Sequence, residues 1–236
     1  MKKQEIHSEA HAILRELQAV FETAQNAERA GKMSAYMKDN FGFYGIMSTE
    51  RRLLQRPFLQ KEFLPDFAVA KELARLCFAH EKREVQYFAM ELLGKYKNAW
   101  VAEDFAFFEG LIQTKSWWDS IDFISPNLVG NFFLNHTDLR EELLPQWIEN
   151  EDFWLRRSAI IHQLRYKEKT ETDWLEKSIL PNMASKEFFI RKAIGWALRE
   201  YAKSRPEWVL DFVERHEPQL SGLSKREALK HLNKLP

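Results

Sequence analysis

Three segments of this chain repeat one another, and that repetition limits what it can fold into. VQYFAMELLGKY (85–96), LRRSAIIHQLRY (155–166) and IRKAIGWALREY (190–201) keep apolar residues at their first and fifth places, and the first and third also at the eighth and ninth. They close on Tyr96, Tyr166 and Tyr201. Their starts lie 70 and 35 residues apart, so a middle member belongs near residue 120, where TKSWWDSIDFISPNLVG stands. Leu144-Pro145 and Leu180-Pro181 recur about ten residues upstream of two of these helices. Helical units with a period near 35 are the mark of stacked helix pairs, because a single pair cannot bury its own apolar face. The expected class is an all-α solenoid.

Apolar spacing and punctuation place helices near 2–23, 26–40, 49–59, 66–79, 82–97, 101–112, 117–135, 138–149, 152–167, 172–184, 186–203, 207–215 and 224–234. Thr49 and Ser224 are the expected N-caps of two of them. Gly31, Pro65, Gly110 and Pro206 fall in or beside connections. No alternating β pattern and no Gly/Ser linker interrupts the chain, so one continuous domain, residues 1–236, is expected.

The 236 residues, 45% hydrophobic and 14% aromatic, suffice for a packed core. A single cysteine, Cys77, excludes an internal disulfide and suits a reducing compartment. The charged, amphipathic start MKKQEIHSEAHAIL is unlike a signal peptide, and no apolar run approaches a membrane span. A soluble, cytoplasmic protein is expected. Net charge is zero but uneven: residues 1–150 hold 18 Lys+Arg against 22 Asp+Glu (−4), and residues 151–236 hold 17 against 13 (+4). The C-terminal third can therefore meet phosphate while the whole stays neutral.

The repeat also carries chemistry. Stepping 35 residues from Asp122 lands on Arg157, and another 35 lands on Lys192. A carboxylate followed by two cations at one repeat spacing suits an anionic polymer that develops positive charge. On the helix around residue 196, Ile190, Ala193, Ile194, Ala197 and Tyr201 form the core stripe. Lys192, Trp196 and Arg199 cluster within about 60° on the other side at 100° per residue. A lone helical Trp ordinarily packs inward, but one flanked by two cations suits a sugar and its phosphates. Trp118 shares the side of Asp122, whereas Trp117 points about 100° away, as a structural residue would. Against these readings stand ordinary ion pairs for Asp122, Arg157 and Arg199.

Other sites are not indicated. His7 and His11 have i, i+4 spacing but no third ligand, so no metal is expected. Walker A, GxGxxG, HExxH and GxSxG patterns are absent, and Cys77 lies in the apolar KELARLCFAH. An enzyme of this composition is expected to work with side chains and water alone, with no cofactor.

Together TKSWWDSID (114–122), FWLRRSAI (153–160) and KEFFIRKAIGWALREYAK (186–203) resemble the AlkD-like DNA alkylation repair glycosylases. YMKDNFGFYGI (36–46) and LSKREALKH (223–231) do so too, and the similarity runs from about residue 12 to the C-terminus. The resemblance implies a curved α-α superhelix of HEAT-like repeats cradling duplex DNA. It implies excision of N3- and N7-alkylated purines, such as 3-methyladenine and 7-methylguanine; the protein is expected to be a monomer. It places the family's catalytic aspartate on Asp122 and its active-site tryptophans on Trp118 and Trp196. Its DNA-backbone arginines fall on Arg157 and Arg199, and an aromatic near the lesion falls on Tyr36; Lys192, from the charge ladder, is expected as a further phosphate contact. It also implies a lesion that stays stacked instead of flipping into a pocket.

Alkylation at N3 or N7 leaves the purine cationic, so the base departs neutral and the catalytic demand moves to the oxocarbenium-like sugar. A fixed carboxylate near C1′ answers that demand. Two other readings remain open on the residues alone. One is a non-catalytic DNA-binding solenoid for damaged or branched DNA, and the other is a protein scaffold. Asp122→Asn separates them: it abolishes excision with binding kept in an enzyme, and changes nothing in a scaffold.

Overall fold

The computed structural model describes residues 2–232 and is built of helices, with no named strand among the described residues. The chain forms two compact units, one ending at Trp100 and the next beginning at Val101. The single domain expected from the sequence spans both, and each unit is described by itself. No described helix is long and apolar enough to cross a membrane.

The first unit holds α1 (Lys3–Thr23), α2 (Ala27–Tyr36), α3 (Ser48–Gln55), α4 (Phe67–Ala79) and α5 (Arg83–Leu93). α1 buries Ala10, Leu14, Leu17 and Phe21, one stripe at i, i+4, i+3, i+4, and packs on α4. α4 answers with Val69, Ala70, Leu73, Ala74, Cys77 and Phe78. The loop after α2 is fixed by a buried carboxylate: Glu84 accepts the backbone N–H groups of Tyr44, Gly45 and Ile46 at 3.0, 2.9 and 3.2 Å. Gly45 has φ +86°, and a Cβ there would lie 2.2 Å from the Asn26 carbonyl oxygen. Only glycine fits this turn.

The second unit holds α6 (Phe105–Gln113), α7 (Trp118–Ile124), α8 (Gly130–Asn135), α9 (Thr137–Ile148), α10 (Phe153–Ile161), α11 (Thr172–Ile179), α12 (Phe188–Tyr201), α13 (Pro206–Arg215) and α14 (Gly222–Leu229). α7 and α8 are joined by a π-helical turn, Ser125–Val129. Pro126 lies in that turn and has no N–H for the carbonyl of Asp122 four residues back. The helix widens there, and the Gly130 N–H reaches the Ser125 carbonyl instead.

The 35-residue period reappears as hydrogen bonds from one helical pair to the next. Ser125 Oγ donates to Ser158 Oγ at 2.9 Å and Tyr166 Oη to the Gly130 carbonyl at 2.6 Å, across 33 and 36 residues. Ser224 Oγ donates to the Arg191 carbonyl across 33 residues. Two of the repeat-closing tyrosines are thus donors to a carbonyl upstream, Tyr96 doing the same at Pro65.

Both expected caps move. Thr49 lies inside α3, whose N-cap is Met47 without a side-chain bond. Ser224 lies in the first turn of α14, and Ser221 is the cap, accepting from the Ser224 N–H. Each cap sits two or three residues earlier because another residue already has extended φ/ψ. The last expected helix, 224–234, ends at Leu229, and residues 233 and 234 lie outside the described ones.

Candidate active site

α7 begins without a capping side chain. Its start is set by packing: the Trp117 ring meets Trp154 at 5.9 Å and Phe189 at 5.4 Å, both edge-on. That structural role matches the direction Trp117 takes on the helical wheel. With Trp117 wedged inward, Trp118 opens α7 half-buried and Asp122 follows one turn later.

Asp122 meets Arg157 across 35 residues. Its Oδ1 accepts from Nε at 3.0 Å and from Nη2 at 2.6 Å. Both donors converge on one oxygen, so Oδ2 keeps no hydrogen bond among the described residues. Arg157 Nη1 donates to the Phe189 carbonyl, and the guanidinium lies 5.9 Å from the centre of the Phe189 ring. Arg157 is 2% exposed. The sequence presents it as a cation for phosphate, but in the structure it is enclosed, and its donors hold Asp122 and a helix start. Burial raises the Asp122 pKa above the ordinary value, Arg157 opposes the rise by charge and hydrogen bonding, and the Asp119 charge adds to it.

A cleft of about 660 Å³ opens at this carboxylate. Asp122 and Pro126 line it from one helix, Trp196 and Glu200 of α12 from another, and the turn after α10 closes it. Asp122 and Trp196 therefore share one cavity, while Trp118 does not line it. Along α12 the expected stripe of Ile190, Ala193, Ile194, Ala197 and Tyr201 is buried, and Lys192, Trp196 and Arg199 are partly exposed.

The two cations flanking Trp196 converge on one partner. Lys192 Nζ donates to Glu227 Oε1 at 2.7 Å, and Arg199 Nη1 to Glu227 Oε2. The Lys192 hydrogen bond is the main reason the Glu227 pKa falls, with both cationic charges adding to it against burial. Lys192 and Arg199, expected as free phosphate contacts, are therefore shared with a carboxylate, and the trio carries a formal charge of +1 (two cations, one anion). Glu227 was missed in the sequence although one more 35-residue step from Lys192 reaches it. Tyr36 ends α2 in the first unit, 69% exposed.

The site offers a held carboxylate with one open oxygen, an aromatic ring and a cleft. Comparison with known proteins agrees with a repair function. The model of the DNA alkylation repair enzyme family matches residues 17–232. Among solved structures, one described as a predicted DNA alkylation repair enzyme from Enterococcus faecalis is 36% identical, with a TM-score of 0.80. That similarity covers 89% of this chain and 98% of the other. No curated protein matches.

Proposed function

The chain belongs to the DNA alkylation repair enzyme family, and from that premise we propose that it is a monofunctional DNA N-glycosylase releasing cationic N3- and N7-alkylated purines from duplex DNA. The observation that carries this reading is Asp122, held by Arg157 through one oxygen and lining the same cleft as Trp196. As the C1′–N bond stretches, its electron pair leaves with the purine and cancels the purine's charge. The sugar becomes oxocarbenium-like, and the Asp122 carboxylate stabilises it electrostatically. Water then bonds to C1′, its proton passing to Asp122 and on to solvent.

Arg157 acts as a positioning residue: a bidentate guanidinium on one oxygen fixes the carboxylate's direction. Trp196 and Trp118 supply electron-rich faces to a sugar that turns cationic. Lys192 and Arg199 meet the strand through the charge Glu227 leaves uncancelled, and Tyr36 is a further DNA contact. Reaction without base flipping accords with the cleft's polar groups. Gln163, an amide that lines it, is 4% exposed and is tied at both ends to the Glu171 backbone, at 3.1 and 2.9 Å, so it serves chiefly to hold the turn. Selectivity then comes from the charge and lability of the alkylated base. No metal or cofactor takes part, and the protein acts as a monomer in the cytoplasm, on the nucleoid.

The test is release of free base from duplex DNA containing 7-methylguanine, by wild type and Asp122→Asn. Removing one preorganised electrostatic partner costs roughly 10²- to 10³-fold in rate. Release by the wild type with a loss of that size in the variant supports the reading. Tight DNA binding with no release from any methylated purine would replace it by a non-catalytic damage-binding protein.

A further inference from the structure

The turn joining α10 to α11 brings two cations to the cleft that the expected DNA contacts do not include. Arg165 and Lys167 both line the cavity shared by Asp122 and Trp196, and both are exposed. Neither has an ion pair or side-chain hydrogen bond among the described residues. This sets them apart from the other cations near the site. Arg157 is enclosed against Asp122, Lys192 and Arg199 share Glu227, and Lys203 is held by Glu200 at 2.6 Å. The remaining carboxylate of the cleft, Glu168, accepts from Ser204 Oγ at 3.5 Å.

The turn is also held in place. Tyr166, between the two cations, is buried and donates to the Gly130 carbonyl, which points its neighbours the other way. Gln163 ties the start of the turn to the Glu171 backbone at its end. Lys167 itself has φ +55°, a left-handed conformation that a lysine does not adopt cheaply. Strain of this kind persists where surrounding structure enforces it, and it clusters at ligand sites.

We infer that Arg165 and Lys167 are phosphate contacts, gripping the DNA strand whose sugar lies at Asp122. This rests on the DNA reading above and adds a second binding element to it, from α10–α11 instead of α12. Two unpaired cations on a braced turn bind a phosphate with little ordering cost, whereas cations already paired must first give up a carboxylate.

The test is the salt dependence of binding to undamaged duplex DNA. Each phosphate contact contributes about 0.9 to the slope of log K against log salt. The double variant Arg165→Gln/Lys167→Asn should lower that slope by about 1.8, and Arg165→Gln alone by about 0.9. Asparagine is chosen because it tolerates the left-handed backbone. Lys169→Gln, on the same turn but not lining the cleft, should leave the slope unchanged. Slopes equal to wild type in both cleft variants overturn the inference, as does an equal drop in Lys169→Gln or a wild type that does not bind DNA. Binding with the expected slopes but no base release would sink the glycosylase reading and leave this inference standing.

Discussion

Lys192 Nζ and Glu227 Oε1 meet at 2.7 Å across 35 residues of chain, the same separation that joins Arg157 to Asp122. The ladder of charge runs Asp122, Arg157, Lys192, Glu227, and its rungs pair two by two. What looks along the sequence like a surface for an anion is in part satisfied internally. Glu227→Gln should therefore release Lys192 and Arg199, tighten duplex DNA binding and steepen its salt dependence. Because these groups are partly exposed, the cost in fold stability should be only about 1 kcal/mol. Titration of DNA at several salt concentrations checks the first effect, and urea unfolding the second. Weaker binding would show that Glu227 orients the cations instead of masking them.

Asp122 must be ionised to stabilise a cationic sugar, and burial holds its pKa above the ordinary value. Excision should consequently lose rate on the acid side at a higher pH than an ordinary aspartate would give. Arg157 lowers that pKa, so Arg157→Gln should move the acid limb further up as well as slowing the reaction. Single-turnover rates against pH measure both. A limb that stays put in the variant would mean that another group controls it.

α12 and α14 touch through Gly195, where a Cβ would lie 2.5 Å from Glu227 Cβ and 2.8 Å from the Ser224 carbonyl oxygen. Gly195→Ala should force the helices apart, at about 1–3 kcal/mol of stability. Because Trp196 is the next residue, the displacement should also change tryptophan fluorescence and cut excision. Unchanged stability would show that α14 yields freely.

His162 is 1% exposed, its Nδ1 lies 2.7 Å from the Ala159 carbonyl, and its Nε2 has no partner. Burial lowers its pKa from 6.5 to about 4. The unfolded chain therefore takes up a proton first as pH falls. Stability should be unaffected above pH 6.5 and decline between there and about 4, by up to roughly 3 kcal/mol. Urea unfolding at pH 7 and 4.5 should show a smaller difference in His162→Gln than in wild type. Equal differences would remove His162 as the cause.

In the first unit, Glu84→Ala would strand the three backbone N–H groups it now accepts. Each unsatisfied buried donor costs about 1–3 kcal/mol, so a loss of at least ~3 kcal/mol is expected. Glu84→Gln, which keeps acceptor oxygen, should lose less. Thermal melting of both variants decides it, and equal losses would point to the charge instead of the hydrogen bonds.

Much of this was readable along the chain because helical packing leaves a periodic trace. Ile190, Ala193, Ile194, Ala197 and Tyr201 could be assigned to the core from spacing alone, and they are buried. Trp117 could be told from Trp118 by one 100° step. The caps of α3 and α14 were misplaced because Thr49 and Ser224 have the right side chains at positions whose backbone is already helical. The π turn at Pro126 was not foreseen, since proline marks a disturbed helix without saying how it is accommodated.

The sequence by itself determined that the chain is helical with a 35-residue period, and it singled out one aspartate and nearby tryptophans as the candidates for its chemistry. A repeating apolar pattern dictates which face of each helix turns inward, whatever the details of packing. The tertiary structure alone decided which charges remain available. Whether a cation faces solvent or a carboxylate depends on contacts near 3 Å between helices, and a helical wheel specifies direction but not distance. Arg157 and Lys192 lie on the expected rungs, yet each meets a carboxylate of another repeat. Arg165 and Lys167 show no repeat signal, but a buried tyrosine between them leaves them open to the cleft.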